Sequence, residues 1–161
     1  MIPRVDGRGG RGGATEPPRR VAGWREIVSL PEWGIDRIEA KVDTGARTSS
    51  LHVENVGDLP HGRVAFDVVL SRRGTRRIRV VARRVRISRV RASSGRRKSR
   101  DVVTTLLRIG PVERRIELNL HGRGRMKYRM LLGRTALGPD ILGDSSRQHI
   151  LGDRPRRRRK R

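Results

Sequence analysis

The chain has 161 residues, of which only 34% are hydrophobic and four are aromatic, so we expect one domain whose small core a subunit interface would help to complete. It has no cysteine, which excludes disulfide bonds and thiolate chemistry. It also shows neither an apolar leader nor a run of roughly twenty apolar residues, so we expect a soluble, cytoplasmic protein. A formal net charge of +24 predicts anionic partners without saying which anion.

Both ends of the chain are basic and poor in apolar residues. Residues 1–20 carry a net charge of +3 and contain two Arg-Gly-Gly triplets, whereas residues 153–161 carry +6 and end in an unbroken basic run. We therefore predict a disordered Arg/Gly-rich tail over 1–20, a folded domain over 21–152 that still carries +15, and a basic C-terminal tail over 153–161. Each tail is either a contact for RNA or another polyanion, or a solvated extension.

The first chemically distinctive segment is Asp43-Thr44-Gly45. Apolar residues alternate with polar ones on the way into it, at Ile38, Ala40 and Val42. This alternation predicts a strand that delivers one carboxylate onto a tight polar turn. An aspartic protease presents its acid in this way, but a simple Asx-turn at a strand end would use the same residues.

Beyond this turn the hydrophobic pattern has mostly a period of two. Apolar residues alternate or cluster in short stretches bounded by turn residues, at 64–68, 85–87, 102–107 and 116–120. Short strands with frequent turns predict an all-β fold built as a small closed barrel. A further apolar run over residues 130–132 ends in Gly133-Arg134, and the short stretch 135–137 that follows is compatible with a helix that Gly138-Pro139 would stop.

Three separated segments together resemble one known family: residues 40–52 around Asp-Thr-Gly-Ala, residues 91–95, and residues 126–134 ending in Leu-Leu-Gly-Arg. In this order they are similar to the bacterial retropepsin-like aspartic peptidases often labelled "ATP-dependent zinc protease", over about residues 21–152. The resemblance implies a retropepsin-like (acid protease) closed barrel with one short helix, completed as a homodimer. It also implies an aspartic-type endopeptidase in which Asp43 is catalytic and Thr44 and Gly45 support it.

The single Asp-Thr-Gly has a chemical consequence. Acid-base cleavage of an amide needs one group that activates water and another that protonates the departing side. Two carboxylates about 3 Å apart do both, because they share one proton. A two-fold dimer that contributes Asp43 from each subunit is the economical solution, with Gly45 allowing close backbone approach and the Thr44 hydroxyl bracing the pair.

Other catalytic chemistries have weaker support. The four histidines include no His-Glu-x-x-His, and the chain has no phosphate-binding glycine-rich loop, so we expect no cofactor and no metal despite the family's label. A triad of Ser49, His52 and another acid stays open, although nothing resembles a nucleophile elbow. We expect His52 to be a polar neighbour of the site rather than its base.

Arginines surround the predicted site. The hairpin at residues 93–98 would lie where a retropepsin flap covers the cleft, or it is an exposed charged hairpin. Many retropepsins have an acid at the position of Arg47 that pairs with the arginine of Gly-Arg, so Arg134 must find another partner or face substrate. We expect contacts to anionic substrate from Arg47, Arg91, Arg96 and Arg134.

Two functions follow from these observations. Members of the family are associated with ATP-grasp ligases that add glutamates to proteins, so the resemblance and the charge together favour cleavage within acidic, glutamate-rich protein tails. The alternative is a noncatalytic basic module that binds RNA or ribosomes on a retropepsin-like barrel. The intact Asp-Thr-Gly favours the enzyme, and the basic tails favour binding of nucleic acid. We expect no membrane contact in either case.

Overall fold

The computed structural model describes residues 18–71, 75–91, 95, 97–122 and 127–152. A 3₁₀ turn covers Pro31–Trp33, and one short helix, α1, covers Arg134–Leu137. The strands of these residues, in chain order, are β1 (Arg20–Gly23), β2 (Arg25–Leu30), β3 (Ile35–Val42), β4 (Ser49–Leu59), β5 (Arg63–Val69), β6 (Arg77–Arg91), β7 (Arg97–Ile109), β8 (Val112–His121), β9 (Met130–Leu132) and β10 (Ile141–Asp144).

Among these strands, six form a closed ring, because each pairs with the next and the last returns to the first. Their order is β2, β3, β9, β4, β8, β7 and back to β2, where Ser29 pairs with Arg108. Strands β5 and β6 form an antiparallel layer that connects β4 to β7, and β1 and β10 form a separate parallel pair. This ring with one short helix confirms the all-β fold class that the sequence predicts, whereas the homodimer stays a prediction.

The inside of the ring is filled with aliphatic side chains, each worth about 1.5–3 kcal/mol when it leaves water. Phe66 is the largest of the fully buried side chains, and its ring meets Trp33 edge-on with 5.5 Å between centroids. Trp24 meets Tyr128 in the same way over 6.0 Å. The fully buried aliphatic residues include Leu30, Leu51, Val53, Val64, Val68, Leu107, Leu118, Met130 and Leu132.

Past β10 the chain returns to its own beginning through residues 147–152, which we call the C-terminal strap. The Trp24 N–H donates to the carbonyl oxygen of Arg147 over 2.8 Å. Glu26 is fully buried on the core face of β2, and its carboxylate accepts four backbone N–H groups at 2.6–3.1 Å, from Gly23, Ile150, Leu151 and Gly152. A Cβ atom at Gly152 would overlap the carbonyl oxygen of Ile27, so only glycine allows this approach.

The strand predictions for residues 38–42, 64–68, 85–87, 102–107 and 116–120 are confirmed by β3, β5, β6, β7 and β8, and the late apolar run and helix by β9 and α1. The alternation in β6 does not mark a core face, however, because Val85 and Ile87 are 46% and 56% exposed. No helix within the described ranges is long and apolar enough to cross a membrane. Residues 1–17 and 153–161 lie outside the described residues, so the tails and domain boundaries stay predictions.

Candidate active site

Asp43 stands where β3 ends. Val42 pairs with Leu132 of β9, and the Asp43 N–H donates to the Leu132 carbonyl oxygen over 2.9 Å. The half-buried carboxylate accepts the Gly45 N–H at Oδ1 over 3.1 Å, and the Ala46 N–H donates to the Asp43 carbonyl oxygen over 3.2 Å. This is an Asx-turn. The turn and the presentation of the acid, which the sequence leaves as alternatives, are therefore one structure that fixes the direction of the carboxylate.

Residues 43–48, which begin with Asp43, form what we call the acid loop. Hydrogen bonds from the start of α1 hold the backbone of this loop. The Arg134 N–H donates to the Ala46 carbonyl oxygen over 2.9 Å. Thr135 donates both its N–H and its Oγ1 hydroxyl to the Arg47 carbonyl oxygen, each over 3.0 Å. Three hydrogen bonds to consecutive carbonyl groups leave the loop little freedom, because each constrains both position and direction.

Gly133 joins β9 to α1 at a point where no side chain fits. A Cβ atom there would lie 2.7 Å from the carbonyl carbon of Thr48 and 2.8 Å from the carbonyl oxygen of Arg47. The Gly133 N–H donates to the buried Ser49 Oγ over 3.0 Å. Backbone contact this close requires glycine, so the Gly-Arg motif serves to bring the chain against the acid loop.

The Arg134 side chain supplies a second support for the acid loop. Its Nη1 donates to the carbonyl oxygens of Thr44 and Gly45, each over 3.0 Å. The sequence left the partner of Arg134 open, and that partner is the backbone of the acid loop itself. Arg134 is exposed, and its contact with a substrate stays a prediction.

Thr44 and Gly45 lie exposed at the tip of the acid loop, beside β10. A Cβ atom built on Gly143 would come within 3.6 Å of the Thr44 Cγ2 atom and 3.5 Å of the Val42 Cγ1 atom. Strand β10 therefore packs against the Val42 side chain and the Thr44 methyl group, where the acid loop begins.

A groove of about 610 Å³ begins four residues after Asp43. Its walls are the acid loop, the start of α1, strand β8 and the β6–β7 hairpin, contributed by Arg47, Thr48, Arg86, Ser88, Arg115, Ile116, Glu117 and Thr135. Strand β6 thus forms one wall of a groove beside the acid loop. Part of the predicted flap at residues 93–98 lies outside the described residues, so its place over the cleft stays a prediction. Three arginines face one glutamate in this groove, so its lining carries a net positive charge.

Two of the groove arginines are held by carboxylates. Arg86 Nη2 lies 2.5 Å from Glu117 Oε2, and Arg115 Nη2 lies 2.5 Å from Glu32 Oε1. The hydrogen bond from Arg115 is the main reason that the pKa of Glu32 is lowered, and the same bond raises the pKa of Arg115.

His52 lies on β4 but does not belong to a catalytic triad. Ser49 and His52 are three residues apart in a regularly paired part of the strand, so their side chains point to opposite faces. The imidazole is 1% exposed, and its Nε2 lies 3.9 Å from the nearer Glu54 oxygen, beyond hydrogen-bonding distance. Burial lowers the pKa of His52, and the positive charge of Arg129 lowers it further.

The structure therefore brings together Asp43, Thr44, Gly45, Arg47 and Arg134, all of which the sequence singles out. Arg91 ends β6, but its side chain and the whole of Arg96 lie outside the described residues, so their substrate contacts stay predictions. Sequence reasoning missed Arg86 and Arg115 as groove residues, because neither lies in a recognisable motif. Within the described ranges, no three His, Asp or Glu side chains are grouped so that they could hold a metal ion.

The geometry of the acid loop agrees with a family match. The model of the RimB-like family, described as retropepsin-like aspartic endopeptidase RimB, matches residues 21–154. The chain belongs to this family. The retropepsin-like resemblance seen in the sequence is thereby confirmed, together with its association with glutamate ligases.

Curated relatives and one solved structure extend the comparison. A "probable alpha-L-glutamate ligase" of Desulfotalea psychrophila is 36% identical over 139 residues, and one of Parasynechococcus marenigrum is 38% identical over 139 residues. The matches cover 84% and 83% of this chain but only 30% and 29% of the relatives, so the chain spans less than a third of their length. The crystal structure of a Legionella pneumophila protein of unknown function is 26% identical with a TM-score of 0.68, covering 81% of this chain and 97% of that one.

Proposed function

We propose that the protein is an aspartic-type peptidase that hydrolyses peptide bonds with two Asp43 carboxylates, one from each subunit of a homodimer. The observation that carries this proposal is the acid loop, in which an Asx-turn, Gly133 and the Arg134 guanidinium fix one carboxylate at the end of a strand. Membership of a retropepsin-like aspartic endopeptidase family supports it. The lack of cysteine is in keeping with a cytoplasmic location.

In this mechanism two neighbouring carboxylates cannot both be ionised, so the pair holds one proton between them. The ionised Asp43 takes a proton from a water molecule as that water attacks the scissile carbonyl carbon. The protonated Asp43 of the second subunit first donates to the carbonyl oxygen, and a proton then passes to the departing nitrogen as the C–N bond breaks. The pair would titrate as one coupled unit.

The surface beside the acid loop suits a second subunit. Val21 of β1 pairs with Leu142 of β10, and both side chains are exposed on the small parallel sheet that packs next to Thr44. A second subunit that packs on this sheet would cover apolar surface that a lone chain leaves in water.

The arginine-lined groove supports an acidic substrate. Arg47 belongs to the acid loop, and Arg86 and Arg115 line the same groove from β6 and β8. A positively charged groove attracts acidic peptides and repels basic ones, and salt weakens both effects. The relatives named probable alpha-L-glutamate ligase suggest a source for such a substrate, so we propose that glutamate-rich protein tails are cleaved.

A peptidase assay on glutamate-rich peptides tests this function. Asp43→Asn keeps the side-chain volume but removes the ionisable pair, so activity should collapse while the thermal unfolding midpoint changes little. Asp36 is an exposed aspartate on β3, the strand that leads into Asp43, so Asp36→Asn is the matched control and should keep full activity. Substantial activity in Asp43→Asn would overturn the aspartic mechanism, and activity that chelators abolish and zinc restores would point to a metal enzyme.

The dimer has a test of its own. If each subunit supplies half of the pair, excess Asp43→Asn chains should inhibit wild-type protein through mixed dimers, and specific activity should fall on dilution. A fully active monomer in sedimentation would refute the shared site. Tight RNA binding by the chain without cleavage of any acidic peptide would favour the noncatalytic binding module instead.

A further inference from the structure

One carboxylate occupies the arginine-lined groove. Glu117 of β8 reaches across it to Arg86 of the β6–β7 hairpin, with 2.5 Å between Oε2 and Nη2. Both side chains remain substantially in water, at 41% and 45% exposure. An ion pair that is this exposed contributes only about 0–1 kcal/mol, so it can be exchanged for another partner at small cost.

A β-bulge directs Arg86 into the groove. Arg84 pairs with Val103, whereas Arg86 pairs with the next residue, Val102, so Val85 is an extra residue in β6. Val102 and Val103 are adjacent in β7, so their side chains point to opposite faces of the sheet. Their partners Arg84 and Arg86 therefore also point to opposite faces, whereas in a strand without a bulge both arginines would lie on one face. Arg84 meets Asp58 and Asp101 on the far side of the hairpin.

We infer that Glu117 is an internal competitor that holds Arg86 until an acidic side chain of a bound peptide replaces it. The inference rests on the proposed function for the chemistry of the ligand, a carboxylate-bearing peptide. Glu117 sets the specificity of the groove in two ways, because it engages Arg86 and also repels any carboxylate that approaches Arg47 or Arg115. A ligand must therefore offer enough negative charge to displace it.

Binding of a short fluorescent polyglutamate peptide, measured by anisotropy, tests this inference in the full-length chain carrying Asp43→Asn, which prevents cleavage. Glu117→Gln keeps the shape of the side chain while releasing Arg86, and it should tighten binding by about threefold to tenfold at low salt. Arg86→Gln should weaken binding by a similar factor. When Arg86→Gln is already present, Glu117→Gln should bring a much smaller gain, since no guanidinium is left to release.

Glu113→Gln separates this local effect from net charge. Glu113 stands on the same strand in a comparable ion pair, 2.7 Å from Arg108, but it does not line the groove. Its substitution also raises the net charge by one, yet it should change binding by less than about 1.5-fold, because solvent screens the more distant charge.

Three results would overturn the inference. Equal tightening of peptide binding by Glu113→Gln and Glu117→Gln would mean that only net charge matters. An equal gain in affinity from Glu117→Gln with and without Arg86 would mean that the ion pair does not limit peptide binding. Unchanged binding in Glu117→Gln would also contradict it. Failure of the peptidase assay alone would leave the inference standing, because this experiment measures binding and requires no cleavage.

Discussion

The buried carboxylate of Glu26 should be the most sensitive single group outside the active site. It is 0% exposed, and it accepts four backbone N–H groups, three of them from the C-terminal strap. In Glu26→Gln one acceptor oxygen becomes an NH₂ donor. The amide oxygen can still serve the three donors that share Oε1, but the Gly152 N–H then faces another donor.

The cost follows from these contacts. One buried N–H loses its partner, at about 1–3 kcal/mol, and three charge-assisted bonds become neutral ones, which are roughly half as strong. We expect Glu26→Gln to lower the free energy of unfolding by about 3 kcal/mol, which for a domain of this size shifts the thermal midpoint by roughly 10 °C. Denaturant unfolding measures the first value and calorimetry the second.

Glu39→Gln is the control for this experiment. Glu39 also contacts the strap, through His149 at 3.1 Å, and it pairs with Arg25 over 3.3 Å, but it is 38% exposed. Its substitution should cost less than about 1 kcal/mol. A loss below about 0.5 kcal/mol in Glu26→Gln, or equal losses in both variants, would refute the reasoning. Hydrogen exchange should show faster exchange of the strap amides in Glu26→Gln alone.

Three further predictions concern the acid loop and pH. Arg134→Met removes two hydrogen bonds to the acid loop, so kcat of the proposed peptidase should fall about tenfold or more with KM little changed. The free energy of unfolding should drop by less than about 2 kcal/mol, and equal activity in the variant and the wild type would contradict a positioning role for Arg134. Gly133→Ala should cost about 2–4 kcal/mol in denaturant unfolding because its Cβ overlaps backbone, while Gly57→Ala, where a Cβ meets nothing within 4 Å, should cost far less. The pKa of His52 is lowered in the folded state, so its contribution to stability is present above about pH 6.5 and is lost as pH falls through the folded-state pKa. Between about pH 7.5 and 5 the free energy of unfolding should therefore fall less in His52→Gln than in the wild type, and an identical pH dependence in both would exclude His52 as the cause.

The acid loop could be predicted from sequence because its signals are local. The alternation up to Val42 and the Asp-Thr-Gly turn specify each other over a few residues, and Gly133-Arg134 carries its own turn signal. The partner of Arg134 could not be predicted, because it consists of the backbone carbonyl groups of Thr44 and Gly45, and every residue type has the same carbonyl group.

The hydrogen bonds of Glu26 and the direction of the Arg86 side chain could not be predicted from the sequence, for different reasons. Glu26 shares the buried face of β2 with Val28 and Leu30, yet an acid in a strand pattern normally indicates solvent, and three of its donors lie more than 120 residues away. The bulge at residues 84–86 carries no glycine or proline, so the alternation of β6 predicts the strand correctly but not which face each side chain takes.

The seam that closes the ring has a consequence for folding kinetics. Strand β2 meets β7 where Ser29 pairs with Arg108, two residues that are far apart in the chain, and Glu32 reinforces the seam by accepting the Leu106 N–H over 3.0 Å. Contacts between distant segments form late, because the loop between them must first lose its entropy. Weakening the seam, as in Glu32→Gln, should therefore accelerate unfolding several-fold and leave the refolding rate almost unchanged.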